Sequence, residues 1–263
     1  MCPESMEPAN HSVIPESAFL MVWSLTPIPL FFCIWIFFVD SIKTYQFYGN
    51  ILEISVALFC MCCCLYAYRT WSERIILLLA AFAFLGYALS NTYWYLYTII
   101  IGRETVFFNI SQMGFLGFMF FFIAAFWFEF PKKPCPRFSQ IALVGLLVFI
   151  TLLIIAILGI NGVSALLWIH VLFVIVFINS ALEHGVYRFS LLWVGIFIWC
   201  FPFLASAIRD AYLVTHPGDA IIGLFTAHPL TLNEFLSIDG PLVVLSFLLI
   251  LAGIFTYLNM PND

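Results

Sequence analysis

Between Ala18 and Leu258 the chain passes through eight long apolar runs separated by short polar breaks. The runs are Ala18–Val39, Ile51–Tyr68, Ile75–Ile101, Ile110–Phe128, Ile141–Ile160, Gly162–Leu182, Tyr187–Ile208 and Pro241–Leu258. A hydrocarbon core of about 30 Å needs about 20 apolar residues of helix, and each run is of that order. The runs are continuous rather than alternating, which argues against barrel strands. A helix also satisfies its backbone donors within the segment, as lipid requires. Composition agrees: 64% of residues are hydrophobic and 9% charged, with a mean hydropathy of +1.10, where soluble domains carry about 25% charge. A water-soluble globule, a disordered chain, a nucleic-acid binder and a secreted disulfide scaffold are excluded. The expected fold is an all-α polytopic transmembrane bundle of about eight spans, one integral membrane domain over residues 1–263. The weakest boundary is Asn161-Gly162, where a tight helical hairpin is expected. If the sixth run does not span, the count falls to seven.

Lysine and arginine orient such a bundle. With eight spans, Arg69, Arg74, Lys132, Lys133, Arg137 and Arg188 fall on the side of the N-terminus, and Lys43, Arg103 and Arg209 on the other. Both termini are therefore expected in the cytoplasm of a cell-membrane protein. Residues 1–17 then form a short cytoplasmic tail and 209–240 an extracytoplasmic connection. The tail lacks a basic n-region and a small-residue cleavage site, so it does not read as a signal peptide. The sequon Asn10-His11-Ser12 is expected on the cytoplasmic side, where no glycan is expected. Cys60, Cys62, Cys63 and Cys64 crowd the cytoplasmic end of the second run. They read as small polarizable packing residues, with acylation near the membrane face as the alternative.

Polar residues inside the membrane are costly and mark the places to look for function. Glu53, Asn91, Ser111, Gln112, Arg209, Asp210 and Asp239 fall toward the outer ends of their runs, and His170 toward the middle of the sixth. Asn179 lies near the inner end, about half a turn round the helix from His170. The third run ends in Asn91-Thr92-Tyr93-Trp94-Tyr95-Leu96-Tyr97, an aromatic stretch that begins deeper than an anchoring belt requires. One reading is an outward-facing polar pocket built from Glu53, Asn91, Trp94, Tyr95 and His170. The other is helix caps and interhelical hydrogen bonds. Gly86 and Ser90 form a small-xxx-small pair for close helix contact, and Pro202 is expected to kink the seventh run.

No lysine lies within a run, so a retinal Schiff base is excluded, and a single histidine inside the runs argues against bis-histidine haem. HExxH, GxSxG and phosphate-loop motifs do not occur. No cofactor and no metal are expected.

The stretch Asn91–Tyr97, then Gly102-Arg103-Glu104, then Phe107-Phe108-Asn109-Ile110-Ser111, resembles the multi-helix membrane sensor regions of prokaryotic histidine kinases and diguanylate cyclases. Ser237-Ile238-Asp239 before the last run is similar in kind. Gln112 stands where those regions usually carry an acidic residue, and the cytoplasmic output domain is missing. The resemblance implies a stand-alone sensor or receptor-like module, without enzymatic activity, that signals through a cytoplasmic partner protein and otherwise contacts membrane lipids. The alternatives are a membrane-embedded lipid hydrolase, which needs carboxylates and histidines converging at one depth, and a transporter or structural subunit of a membrane complex. Pro27 and Pro29 in the first run and Pro202 in the seventh are not placed as the paired broken helices of a transporter would be.

Overall fold

The computed structural model describes residues 15–25, 27–28, 31, 42–71, 73–97, 101, 110–132, 137–215 and 239–260. These residues are helical throughout, joined by turns. We label the helices α1 (Glu16–Ser24), α2 (Ile42–Thr70), α3 (Ile75–Tyr95), α4 (Ile110–Glu129), α5 (Arg137–Leu158), α6 (Gly162–Glu183), α7 (Ser190–Thr215) and α8 (Asp239–Leu258). Among the described residues, five helical segments are long and apolar enough to cross a membrane: Tyr48–Thr70, Ile75–Tyr95, Gln112–Glu129, Gly162–Glu183 and Gly240–Leu258. Shorter apolar stretches occupy Ile141–Ala156 of α5 and Ser190–Leu204 of α7. Residues 1–14 of the N-terminal tail, most of the first run beyond α1, and residues 216–238 of the long connection lie outside the described residues.

Successive helices from α2 onward run antiparallel. Glu53, in the first half of α2, meets Tyr87 and Asn91 in the last half of α3. Arg74, at the start of α3, meets Glu129 at the end of α4. α3 lies between α2 and α4, α8 packs along both α7 and α2, and α6 packs on α4, α5 and α7. One end of the bundle thus carries the start of α2, the end of α3 and the start of α8. The other carries the start of α3 and the ends of α4, α6 and α8.

The expected hairpin between the fifth and sixth runs is present. α5 ends at Leu158, Gly159 takes a left-handed φ of 71°, and α6 starts at Gly162. Asn161 caps α6: its side chain accepts from the Ser164 amide, and its own amide donates to Ser164 Oγ. This reciprocal pair satisfies two of the amides a helix start leaves open. α6 is 22 residues long, so the sixth run forms a full-length helix of about 33 Å. The helix of the seventh run extends beyond the apolar stretch. α7 continues past Pro202 and through Arg209 and Asp210 to Thr215, so the first part of the 209–240 connection is helical. Ala207 and Ala211, one turn apart, are both buried and extend the packed face of α7 beyond the apolar run.

The core is aromatic. Phe84 meets Phe118, Phe122 and Phe247 at ring distances of 5.3 to 5.9 Å, largely edge to face. Phe118 stacks on Trp199 at 4.5 Å. Such pairs contribute about 1 kcal/mol each beyond area burial. The outside is apolar as well. Phe82, Leu89, Phe120, Trp127, Phe128, Val148, Phe149, Phe197 and Phe201 are exposed, an apolar surface far larger than a monomer in water carries. Cys60 and Cys64, one turn apart, face the core, whereas Cys62 is exposed, as the 3.6-residue period requires.

Glycine sets the closest helix contacts. A Cβ on Gly114 would lie 2.4 Å from Ser90 Cβ and 2.9 Å from Gly86 O, so Gly86 and Ser90 provide the close α3–α4 contact their spacing suggested. α7 and α8 approach in the same way. A Cβ on Gly195 would come within 2.8 Å of the Ile250 amide nitrogen, and one on Gly253 within 2.3 Å of the Leu192 amide nitrogen.

Candidate functional site

α2, α3 and α8 converge on one carboxylate. Glu53 is 9% exposed, and its Oε2 accepts from the Tyr87 hydroxyl at 2.5 Å and from Asn91 Nδ2 at 3.0 Å. Tyr87 and Asn91 are four residues apart on α3, so they share a face and reach the same oxygen. The other carboxylate oxygen sits against α8: a Cβ on Gly240 would lie 2.7 Å from Glu53 Oε1. The glycine therefore opens room for the carboxylate at the first turn of α8. There the amides of a helix start are unpaired within the helix and attract negative charge. Both donors reach one carboxyl oxygen, so this buried polar group is hydrogen-bonded, as burial demands.

The face of α3 that carries Tyr87 and Asn91 continues through Trp94 and Tyr95, both half-buried, toward the end of the helix. Tyr93 and Tyr97 stack at 5.7 Å, where the helix loosens into a π-turn at Leu96–Tyr97. Gln112, on the first turn of α4, is buried, and its Oε1 has no hydrogen-bond partner among the described residues. It precedes by one turn Phe115, whose ring lies 5.0 Å from that of Tyr87, so it belongs to the same end of the bundle.

Of the five residues expected to form one pocket, the structure brings Glu53 and Asn91 into contact and places Trp94 and Tyr95 on the same helix face. His170 stands elsewhere. It is fully buried on α6, its Nδ1 lies 3.0 Å from Leu166 O, and its ring stacks on Phe203 of α7 at 5.5 Å. These contacts are on α6 and α7, away from the α2–α3–α8 convergence. Tyr87 and Gly240 were not among the expected residues. The four-residue spacing of Tyr87 from Asn91 was the available signal for the first; nothing local marked the second.

A second polar cluster closes the opposite end. Arg74 Nη1 donates to Glu129 Oε1 at 2.6 Å and to the Tyr257 hydroxyl at 2.8 Å. Tyr257 donates in turn to Glu129 Oε1 at 3.1 Å. The guanidinium also lies over the Tyr257 ring, 5.3 Å from its centroid. Burial works to lower the Arg74 pKa, yet the bonds to Glu129 and Tyr257 hold it above the ordinary guanidinium value. The rings of Phe130 and Phe189 pack on Tyr257 at 4.6 and 4.9 Å. Nearby, His184 Nδ1 lies 2.7 Å from the Phe130 carbonyl, which can only accept, so Nδ1 carries the proton. His184 Nε2 and Ser180 Oγ are buried and have no hydrogen-bond partner among the described residues. Asn179 and Lys132 both bond Glu183, at 2.9 and 3.1 Å.

Fold and site together define an all-helical bundle of membrane type with a polar cluster at each end. Compared with known protein families, curated proteins and solved structures, the chain has no match.

Proposed function

We propose that the chain is a sensor or receptor-like module of the cell membrane, threading the bilayer eight times with both termini in the cytoplasm. In this reading a ligand or the state of the membrane acts on the Glu53 end, and a cytoplasmic protein receives the signal at the Arg74 end. The observation that carries it is the Glu53 carboxylate, buried where three helices meet and bonded by Tyr87 and Asn91. A charge there is costly to keep, and its hydrogen bonds change with anything that protonates, displaces or pairs it. Orientation rests on the six-to-three split of lysine and arginine between the two sides read from the sequence. For a signal to pass, the stimulus must favour one helix packing over another.

The test is capture of the full chain in mild detergent from its native membranes. A cytoplasmic protein is expected to be captured with the chain. Its yield should change by severalfold in Asn91→Leu and stay constant in Asn161→Ala, which alters only the α5–α6 hairpin. Loss of the partner from the wild-type preparation, or equal yield in Asn91→Leu, would remove this reading.

A further inference from the structure

α8 connects the two polar clusters. At its start Gly240 lies against the Glu53 carboxylate, and at its end Tyr257 is bonded to Arg74 of α3 and Glu129 of α4. The two contacts are 17 residues apart, about 25 Å along the helix. α8 is also the most enclosed of the spanning helices: 72% of its apolar window is buried, against 28% for α2, 56% for α3 and 39% for α4 and α6. It is keyed to α7 at two levels, by Gly195 against the backbone of Ile250 and by Gly253 against that of Leu192. At Gly253 the near atoms are backbone or fixed to it, and at Gly195 backbone atoms of Ile250 and Ser246 lie beside the Ile250 side chain, so little freedom remains to absorb a shift. α8 therefore cannot slide or turn without carrying α7 with it.

We infer that α7 and α8 form one rigid pair that couples the Glu53 carboxylate to the Arg74–Glu129–Tyr257 cluster, so that a change at either end is felt at the other. The coupling acts as follows. The carboxylate is held between the Tyr87 and Asn91 donors of α3 and the first turn of α8. Moving the carboxylate from its place against Gly240 lets the pair move relative to α3 and α4. Tyr257 rides on that pair, while Arg74 and Glu129 belong to α3 and α4, so the same motion opens the distant cluster. Coupling of this kind is reciprocal: loosening Tyr257 must loosen the Glu53 end by the same free energy. The inference rests on the proposed reading only in taking Glu53 as the input; its test needs no ligand.

The experiment is hydrogen–deuterium exchange on the purified full chain in detergent, wild type against Glu53→Gln, Tyr257→Phe and Asn161→Ala. Glu53→Gln should speed exchange about tenfold in residues 254–258 and in the first turn of α3, far from the substitution. Tyr257→Phe should do the same at residues 240–244. Asn161→Ala should affect α5 and α6 alone. Effects confined to the end that carries each substitution would overturn the inference. So would a uniform acceleration that includes α5 and α6, which is general loosening rather than coupling. Should Glu53→Gln not accumulate, Tyr257→Phe carries the test alone. Failure here with a partner still captured in an Asn91-dependent way would leave the sensor reading standing and remove α8 as its relay.

Discussion

Replacing Gly253 with alanine is expected to cost about 3 kcal/mol, at the upper end of what overpacking usually costs. The added methyl would lie 2.3 Å from the Leu192 amide nitrogen, 2.5 Å from its Cα and 2.6 Å from its Cβ. All three atoms are backbone or fixed to it, so no rotamer change relieves the clash and α7 must be pushed away from α8. The displacement would disturb the core that Leu192, Ile196 and Trp199 share with Ile250, Leu251 and Ile254. Gly195→Ala should act in the same direction but less strongly, because one of its nearest atoms is the movable Ile250 Cγ1 at 2.8 Å. Gly145→Ala should be neutral or slightly stabilising, since nothing lies within 4 Å of a Cβ there and the helix prefers alanine. Thermal or denaturant unfolding in detergent ranks the three. A Gly253→Ala variant as stable as Gly145→Ala would refute the close α7–α8 packing.

Breaking the Arg74–Glu129 ion pair should be strongly asymmetric. The side chain of Glu129 is 6% exposed and that of Arg74 28%. Arg74→Ala leaves a buried carboxylate bonded only by the Tyr257 hydroxyl, and a loss of about 3 kcal/mol is expected. Glu129→Ala leaves the arginine, whose long stem lets the guanidinium turn toward water, and about 1 kcal/mol is expected. Arg74→Lys should recover only part of the loss, because one ammonium cannot reproduce the contact with the carboxylate, the phenol oxygen and the ring face together. Equal losses in the two alanine variants would mean that Glu129 reaches solvent as readily as Arg74.

The sequence made some of this arrangement legible and hid the rest, for reasons that differ by residue. Helical, membrane-type architecture follows from uninterrupted apolar runs, because only helix satisfies the backbone in lipid. The α5–α6 hairpin was readable from Asn161-Gly162, since a cap residue and a glycine are local signals. Glu53 and Asn91 stood out because polar side chains are rare in such runs, and the structure sets them 3.0 Å apart. Tyr87 did not stand out: among so many aromatic residues its hydroxyl is invisible until a partner is known. Gly240 is legible only once Glu53 is seen against it. Arg74 entered only as an orienting charge and Glu129 and Tyr257 did not stand out, because their pairing spans 55 and 183 positions of the chain. His170 was grouped with Glu53 as a polar residue inside an apolar run. Polarity within a run does not say which neighbour the residue faces, and His170 stacks on Phe203. The helix of the seventh run continues past Arg209 to Thr215, because a charge marks where lipid ends rather than where helix ends.

The account depends on the Glu53 end and the Arg74 end lying on opposite faces of a membrane, with the basic end inside the cell. Reporter fusions to the full chain's successive turns test this most directly. Alkaline phosphatase joined after Ile101 or Asn161 should be active, and green fluorescent protein joined after Lys132 or Arg188 should fluoresce. Phosphatase activity after Lys132 or Arg188, or all four junctions on one face, would contradict it.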